Sequence, residues 1–511
     1  MKFTMVKIKN CLVWLRNDLR FHDNEALLWA HENAEAITPF YCFDPRLFTT
    51  THRYHFPKTG NFRSKFLLEC VDDLKKTLKA KGSDLIVSTE RPEDAIQTIQ
   101  NKCKFEAFVF QKEITKEEVD VETACERFCS QNGIIFRAIW GSTLYHKDDL
   151  PYAVERIPDT YTLFRKDVET RCKVRTEKRM PDKLKAFPVA LEGVSDNLPS
   201  LHDLKLEEPC IHPRSAFPFL GGETAALSRL KSNFWDTNAV KSYKITRNGL
   251  LGTEYSTKLS PWLAFGCISP RRIFYELKKY EADRVKNDST YWVIFELLWR
   301  DYFRFIAAKY GSCLFYSGGI KNLKYNWSED MEKFNKFANG QTGVPFVDAN
   351  MRELRQTGWM SNRGRQNVAS FLTKDLKLDW RMGAEWFEYL LDVCSNYGNW
   401  NYSAGIGNDP REDRKFNMVK QGLDYDAEGE YIRTWVPELS RICGGKIHVP
   451  WTLRHSELGG IKLDVDYPNP MVITLEWRRH LDKSNSSNWA ASSRTKQKGH
   501  DFYFKSGQSK K

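Results

Sequence analysis

The sequence predicts an α/β fold class, with an N-terminal doubly wound parallel-sheet (Rossmann-like) domain followed by an all-helical domain. Over the first 146 residues, short apolar runs alternate with helical patterns, which is typical of βαβ units and therefore of parallel strands. Beyond about residue 215 the Val- and Ile-rich runs vanish, and long helical periods continue to about residue 440. A chain of 511 residues is long enough for two such domains.

Five strands are predicted in the first domain, residues 1–150. They are "NCLVWLRN", "AITPFYCFDP", "SDLIVSTE", "EAFVFQKE" and "GIIFRAIWG". The segments between them, such as "RSKFLLECVDDLKKTLKAKG", have the apolar spacing of helices. No GxGxxG motif follows the first strand, so an ordinary dinucleotide site at the first turn is not supported.

The rest of the chain divides into three predicted parts. Residues 151–220 are rich in Lys, Asp, Glu and Pro and are predicted to connect the two domains. Residues 221–480 are predicted to form the helical domain. Residues 481–511 are polar and basic, so we expect them to be disordered, as a solvated end rather than as a segment that aids import or contacts a partner.

The chain is basic and rich in aromatic residues. A net charge of +12 and a pI near 9.0 favour a phosphate-bearing partner, although proteins without such a partner share this range. Aromatic residues make up 14% of the chain and include 16 Trp. We expect stacking or redox roles for a few of them and core packing for most.

Cysteine usage and hydropathy restrict the compartment. The 12 Cys residues include no CxxC pair, which indicates a reducing compartment and no zinc site. No run of about 18 apolar residues occurs, and "MKFTMVKIKN" is too short and polar for a signal or transit peptide. We therefore expect an intracellular protein, in the nucleus and/or cytoplasm, that is monomeric and uses neither a membrane nor a metal.

One helical segment, "YWVIFELLWRDYFRFIAA", places Glu296, Trp299, Arg300 and Phe303 at i, i+3, i+4 and i+7 among apolar residues. Glu296 and Arg300 could form an ordinary i, i+4 ion pair, worth about 0.2–0.5 kcal/mol at a surface. In apolar surroundings both charges instead carry a desolvation cost of several kcal/mol. A polar ligand or cleft at this face is therefore the stronger interpretation.

A second segment, "GWMSNRGRQNVASF", places Asn362, Arg365 and Gln366 on one face of a helix. For an average helix a solvated polar stripe would be the better interpretation. Gly364 in the helix interior costs about 1 kcal/mol relative to Ala, and Ala369 lies on the same side as the polar residues. These small residues predict room for a ligand.

Two further segments have ligand-binding features. In "YSTKLSPWLAFG", Ser256, Thr257 and Ser260 have the signature of a helix N-cap. Such a helix start could also bind phosphate with help from Lys258, but the cap alone is the simpler interpretation. In "CSNYGNWNYSAGIGNDPR", glycines beside Trp400 would let the backbone approach a flat ligand closely, which is weak evidence by itself.

Together these segments resemble the photolyase/cryptochrome family, most closely its cryptochrome DASH branch, over roughly residues 8–480. "WLRNDLRFHDN" is similar to the family's opening, and "GWMSNRGRQNVASFLTKDLKLDWRMGAEWFEYLLDVCSNYGNWNYSAGIGNDPREDRKFN" to its flavin-binding region. The resemblance implies an antenna domain, a helical FAD-binding domain, and light-driven repair of cyclobutane pyrimidine dimers, preferentially in single-stranded DNA. Light, partly collected by a folate, would excite reduced FAD, and one electron would pass to the dimer and return.

Two alternatives to repair are weighed. The first is a blue-light photoreceptor or nucleic-acid-binding flavoprotein whose repair activity is vestigial. The second, a flavin oxidoreductase acting on small molecules, is disfavoured because no nicotinamide site is visible in the sequence.

The resemblance also assigns cofactor residues. Those implied for FAD are Tyr243, Ser256, Thr257, Lys258, Leu259 and Ser260 at its phosphates and ribose, and Arg300, Asn362, Arg365, Asp392 and Asn396 at the flavin. For a 5,10-methenyltetrahydrofolate antenna, Glu118 in "FQKEITKEEVDVE" is the implied contact, with Glu117 as the competing neighbour.

The substrate and electron-transfer residues are implied in the same way. Glu296 and Trp299 match the side chains that hydrogen-bond and stack on an extruded dimer. Other implied DNA contacts are Arg247, Asn362, Arg363, Gln366 and Tyr402. Trp400, Trp380 and Trp327 match the tryptophan chain that reduces buried FAD, although core packing alone would explain any single Trp.

One departure from the family concerns the segment before Asn396. Relatives have Asp-x-Asp there, whereas "EWFEYLLDVCSNYGNW" has only Asp392 and is three residues shorter. The missing Asp is the one expected to pair with Arg365. We therefore expect weaker FAD retention or impaired repair, unless Glu388 or a shifted Asp392 compensates.

Overall fold

The computed structural model describes residues 8–194, 197–390, 396–408, 415–477 and 480, with the backbone alone described for 396–399. Five strands form one sheet: β1 (Ile8–Leu15), β2 (Ala34–Cys42), β3 (Ile86–Ser88), β4 (Ala107–Gln111) and β5 (Ile135–Ile139). The strand order is β3-β2-β1-β4-β5, and every pair is parallel. The predicted doubly wound parallel sheet is confirmed.

Helices follow the strands and then dominate the chain. Their bounds are α1 (Glu25–Asn33), α2 (Asn61–Ala80), α3 (Pro92–Lys102), α4 (Lys116–Gln131), α5 (Tyr161–Arg171), α6 (Glu223–Lys231), α7 (Tyr243–Thr246), α8 (Ser260–Ala264), α9 (Pro270–Asp283), α10 (Asp288–Tyr310), α11 (Met331–Ala338), α12 (Pro345–Thr357), α13 (Asn362–Ser370), α14 (Trp380–Leu390), α15 (Asn396–Ala404), α16 (Met418–Tyr425) and α17 (Glu430–Trp435). The predicted all-helical second domain is confirmed.

The centre of the sheet explains its continuous apolar sequence. In β1, Cys11, Leu12 and Val13 are fully buried, because helices cover both faces of the sheet. The chain order reverses between β1 and β4. The carboxyl ends of these two strands are where open α/β sheets place ligands.

The segment predicted as a connector contains a packed helix. In α5, Tyr161, Phe164 and Val168 are buried, and the helix lies against α10. The domain boundaries themselves remain predictions, but part of the segment between the domains belongs to the hydrophobic core.

The long helix α10 joins the two halves of the molecule. Asn287 caps it by accepting hydrogen bonds from the N–H groups of Ser289 and Thr290. In its middle, the buried Asp301 carboxylate accepts hydrogen bonds from the N–H groups of Leu144 and Tyr145, each at 2.9 Å. The segment that follows β5 is thereby held against the helical domain.

None of the helices in the described ranges is long and apolar enough to cross a membrane. Within the same ranges, no group of three or more His, Cys, Asp and Glu side chains is placed to hold a metal ion. Residues 481–511, for which disorder was predicted, lie outside the described part of the chain.

Candidate active site

A cavity of about 1220 Å³ lies between the helical domain and the carboxyl ends of the strands. An ordinary small-molecule site has roughly 300–1,000 Å³, so this cavity has room for a large ligand with additional space. The predicted residues that line it are Glu118, Tyr243, Arg247, Ser256, Thr257, Lys258, Leu259, Ser260, Glu296, Trp299, Arg300, Asn362, Arg363, Arg365, Gln366 and Tyr402. The fold therefore brings together residues that span nearly 300 positions of sequence.

Glu296 and Arg300 of α10 each have a partner on another element. Glu296 forms an ion pair with Arg247 at 2.6 Å, while Arg300 donates hydrogen bonds to the backbone carbonyls of Ser142 and Leu263. The i, i+4 pair considered from the sequence is thus replaced by longer-range contacts. Glu296 remains partly exposed at the cavity, where its carboxylate is held by one cation.

Aromatic side chains border the cavity beside Glu296. Trp299 is half-buried, and the ring of Tyr402 is edge-on to it, with 6.3 Å between centroids and an interplanar angle of 87°. Both rings line the cavity and offer flat apolar surfaces to a ligand.

The loop 253–260 is held by a residue that sequence reasoning missed. Arg229 of α6 donates hydrogen bonds to the carbonyls of Thr253, Ser256 and Thr257 at 3.2, 3.1 and 3.0 Å and pairs with Glu254 at 2.7 Å. The available signal was an Arg on an otherwise apolar helix face, "AALSRLKSNF". Arg229 thereby holds the backbone of a loop whose residues line the cavity.

The predicted N-cap in this loop is wrong. Helix α8 begins at Ser260 with Leu259 as its N-cap, and no side chain caps it. The reason is the Arg229 contact, which fixes the carbonyls of Ser256 and Thr257 and thereby the course of the loop into the helix. Ser256, Thr257 and Ser260 still line the cavity.

Lys258 is the most unusual residue of the loop. Its backbone is left-handed, with φ of 55°, which costs a non-glycine residue roughly 1–2 kcal/mol. The residue is 2% exposed, its Nζ has no hydrogen-bond partner among the described residues, and Nζ lies 3.3 Å from the centroid of the Tyr255 ring. Desolvation lowers the pKa of Lys258 to about 7.

The helix α13 differs from expectation at its small residues. A Cβ on Gly364 would lie 2.0 Å from Oδ1 of Asn350 on α12, and Ala369 is 1% exposed in the core. Both residues therefore serve helix packing, and the prediction that they leave room for a ligand is wrong. The polar residues of α13 line the cavity as predicted.

Two arginines of α13 have different surroundings. Arg363 donates hydrogen bonds to Gln366 and Asn248 at 3.1 and 3.2 Å. The Nε of Arg365 is buried without a hydrogen-bond partner among the described residues, and desolvation lowers the pKa of Arg365 to about 10. Asp392 and the shortened segment around it lie outside the described residues, as does the side chain of Asn396.

The three predicted electron-transfer tryptophans are not among the described residues that line the cavity. The indole nitrogens of Trp327 and Trp380 both donate hydrogen bonds to the carbonyl of Ser317, at 3.1 and 3.2 Å. Trp400 is 1% exposed and packs on α14 at Gly383, where an added Cβ would lie 2.1 Å from its ring. Gly383 follows Trp380 by less than one helical turn.

The cavity also reaches the α/β domain. Glu117 and Glu118, in the first turn of α4, both line it. Lys58 pairs with Glu117, whereas Glu118 accepts a hydrogen bond from the Thr115 hydroxyl. Both carboxylates therefore lie at the cavity.

Comparisons with known proteins agree on one family. The domain described as "FAD binding domain of DNA photolyase" matches residues 292–486, and the domain described as "DNA photolyase" matches residues 11–185. The "Cryptochrome DASH" proteins of Xenopus laevis and Danio rerio are 56% and 54% identical to this chain, and each alignment covers 96% of this chain and 97% of the relative.

Solved structures show the same relationship. A cryptochrome from Synechocystis sp. PCC6803 matches with a TM-score of 0.88 and 48% identity, covering 93% of this chain and 98% of its own. A bacterial class III photolyase from Agrobacterium tumefaciens matches with a TM-score of 0.79 and 26% identity, covering 97% and 99%.

Proposed function

This chain belongs to the photolyase/cryptochrome family, in its cryptochrome DASH branch, and on that basis we propose that it repairs cyclobutane pyrimidine dimers in DNA under light. Family membership makes it a light-driven flavoprotein with an FAD-binding domain. The proposed activity is that of a deoxyribodipyrimidine photolyase, a carbon–carbon lyase. The proposed preference is for single-stranded DNA, because extruding a base from a duplex costs a few kcal/mol more.

The observation that best supports repair is the composition of one side of the cavity. Glu296 supplies a carboxylate, Trp299 and Tyr402 supply flat apolar surfaces, and Gln366 supplies an amide, all at the same cavity. A pyrimidine dimer extruded from DNA offers ring faces for stacking and carbonyl and imide groups for hydrogen bonding. Arg247 and Arg363 lie at the same cavity and are proposed to contact the phosphates of the strand.

The remaining lining residues fit FAD. Two buried nitrogen atoms of basic side chains, Nζ of Lys258 and Nε of Arg365, have no hydrogen-bond partner among the described residues. An anionic cofactor would supply an acceptor for each of them. We propose that loop 256–260 and Tyr243 hold the phosphates and ribose, and that Arg300, Asn362 and Arg365 hold the flavin. FAD supplies the redox chemistry of the reaction, and the protein supplies binding, orientation and exclusion of water.

Within this proposal Glu296 has the central role among protein groups. Its carboxylate would hold the dimer by accepting a hydrogen bond from an imide N–H group of the pyrimidines. Arg247, paired with it at 2.6 Å, fixes its position. Trp299 and Tyr402 would hold the extruded bases by stacking, which is worth about 1–3 kcal/mol per base.

A variant series tests this assignment. Glu296→Gln and Trp299→Ala should lower the rate of light-dependent repair of a dimer-bearing single strand by at least tenfold, while FAD content stays as in the wild type. Glu332→Gln, which removes an exposed carboxylate of α11, is the matched control and should leave repair unchanged. If wild type binds such DNA but repairs none under light, a photosensory or nucleic-acid-binding role replaces the proposal.

We also propose a 5,10-methenyltetrahydrofolate antenna at the part of the cavity that reaches α4. Glu118 is the proposed contact, and its position at the cavity supports this. Mass spectrometry of the small molecules released from purified protein should find the folate in the wild type and less of it in Glu118→Ala. Loss in Glu117→Ala with retention in Glu118→Ala would transfer the role to Glu117.

A further inference from the structure

Tyr161 lies directly behind the proposed stacking residue. It is the first residue of α5, in the segment that the sequence presented only as a connector, and it is 6% exposed. Its ring is stacked on the indole of Trp299, with 3.6 Å between centroids and an interplanar angle of 12°. Tyr161 therefore covers one face of Trp299.

The ring of Tyr161 is fixed on several sides. Its hydroxyl group donates a hydrogen bond to the carbonyl of Phe295 at 2.8 Å. The rings of Phe295 and Tyr302 meet it edge-on, with 5.2 and 5.6 Å between centroids. Since all of these partners belong to α10, the tyrosine is anchored to the same helix that carries Trp299.

The hydroxyl group of Tyr161 stays protonated, and so remains a hydrogen-bond donor, over the physiological pH range. Burial raises the pKa of Tyr161 far above its ordinary value, and the nearby Glu296 carboxylate raises it further. The neutral phenol keeps its hydrogen bond to Phe295, so the stacked arrangement does not depend on pH below the alkaline range.

An indole has two faces, and Trp299 also lines the cavity. With one face covered by Tyr161, a flat guest in the cavity has only the opposite face of Trp299 to stack on. We infer that Tyr161 is a positioning residue that makes Trp299 a one-sided, preordered platform for an extruded pyrimidine dimer. This inference rests on the proposed repair function and extends it to selection of damaged over undamaged DNA.

The inference predicts how damage recognition changes in three variants. Tyr161→Leu keeps an apolar side chain but removes the stacked ring, Tyr161→Phe keeps the ring, and Phe164→Leu is a matched control. Phe164 is a fully buried residue of the same helix whose ring packs on Tyr302 and Phe305. Each protein is measured with FAD bound, against single strands with and without a thymine dimer, and its melting temperature is recorded.

We expect Tyr161→Leu to lower the ratio of affinities for damaged and undamaged strands about tenfold. A change of that size is comparable to the contribution of one stacked base to binding. Its KM for repair should rise by a similar factor, with a smaller change in kcat. Tyr161→Phe should keep most of the discrimination, and Phe164→Leu should lower the melting temperature without changing the ratio.

Two results would overturn the inference and separate it from the proposed function. If folded Tyr161→Leu discriminates as well as wild type, or if Phe164→Leu loses discrimination equally, Tyr161 has no specific positioning role, and repair by the wild type still stands. If wild type itself neither discriminates nor repairs, the proposed function fails and the inference falls with it.

Discussion

At the scale of single residues, Lys258 is proposed to couple cofactor binding to protonation. Burial lowers its pKa to about 7, so near pH 8 the amino group is mostly neutral in the free protein. Glu353, buried nearby, opposes this shift, and its own pKa is raised to about 8 by desolvation. A bound pyrophosphate would favour the protonated form of Lys258, so the pKa of Lys258 should rise on binding.

The first prediction is therefore proton uptake on FAD binding. A group whose pKa rises on binding contributes affinity that is fully present below its free-state value, here about 7, and is lost as the pH rises through the higher bound-state value. Calorimetry at pH 8 in two buffers of different ionisation enthalpy should show the uptake, and Lys258→Met should abolish it. Equal affinity and no uptake from pH 6.5 to 8.5 in wild type would contradict the prediction.

A second residue-scale prediction concerns Arg365, whose Nε lacks a partner among the described residues. Removing one partner of a buried ion pair typically costs 3–5 kcal/mol. A three-residue insertion containing Asp between Leu391 and Asp392 should supply the carboxylate that the resemblance to the family implies. We expect it to increase FAD retention through dialysis and the rate of repair, and equal retention and rate in both proteins would show that this carboxylate is not needed.

At the scale of elements, α14 positions the proposed electron route. A methyl group on Gly383 would lie 2.1 Å from the Trp400 ring, so Gly383→Ala must displace that ring from the helix that carries Trp380. We predict slower photoreduction of oxidised FAD in Gly383→Ala and almost none in Trp400→Phe. Repair by enzyme that has first been reduced chemically should be spared in both, and normal photoreduction in Trp400→Phe would refute the route.

The loop 253–260 gives a prediction for Arg229. Its three hydrogen bonds to carbonyls and its pair with Glu254 hold the loop, and charged hydrogen bonds are worth about 1.5–3 kcal/mol each. Arg229→Gln should weaken FAD binding by roughly tenfold or more, measured by flavin fluorescence. Lys231→Gln, a change at an exposed residue of the same helix, is the control. Equal FAD affinity in both variants would show that Arg229 does not support FAD binding.

Sequence reasoning succeeded for elements with a local signal. The continuous apolar runs at β1 and β4 predict strands that are buried on both faces of a sheet. This prediction needs only the side chains of the strands themselves. It failed at Gly364 and at the cap of α8, because the deciding partners, Asn350 and Arg229, come from other elements. Tyr161 was missed for the same reason. It lies in a segment whose composition is that of a connector, and its partner Trp299 is more than 130 residues away in the sequence.

At the scale of the whole molecule, the cavity depends on both halves of the chain. Asp301 on α10 binds the backbone of residues 144 and 145, and Arg304 pairs with Glu113 after β4 at 2.7 Å. These buried contacts join the α/β domain to the helix that carries Glu296 and Trp299. A ligand near α4 and a ligand near α10 would therefore share one enclosure, which is compatible with the proposed transfer of energy from an antenna to FAD.

Light-driven repair of thymine dimers is the function proposed for this enclosure. The most direct measurement is the fraction of thymine dimers remaining in a single-stranded oligonucleotide after incubation with FAD-loaded, chemically reduced protein, by chromatography of illuminated and dark samples. We expect dimers to be converted to intact thymines in the light over many turnovers and none to be converted in the dark. A protein that carries reduced FAD and binds the oligonucleotide, yet leaves the dimer content equal in light and dark, would contradict it.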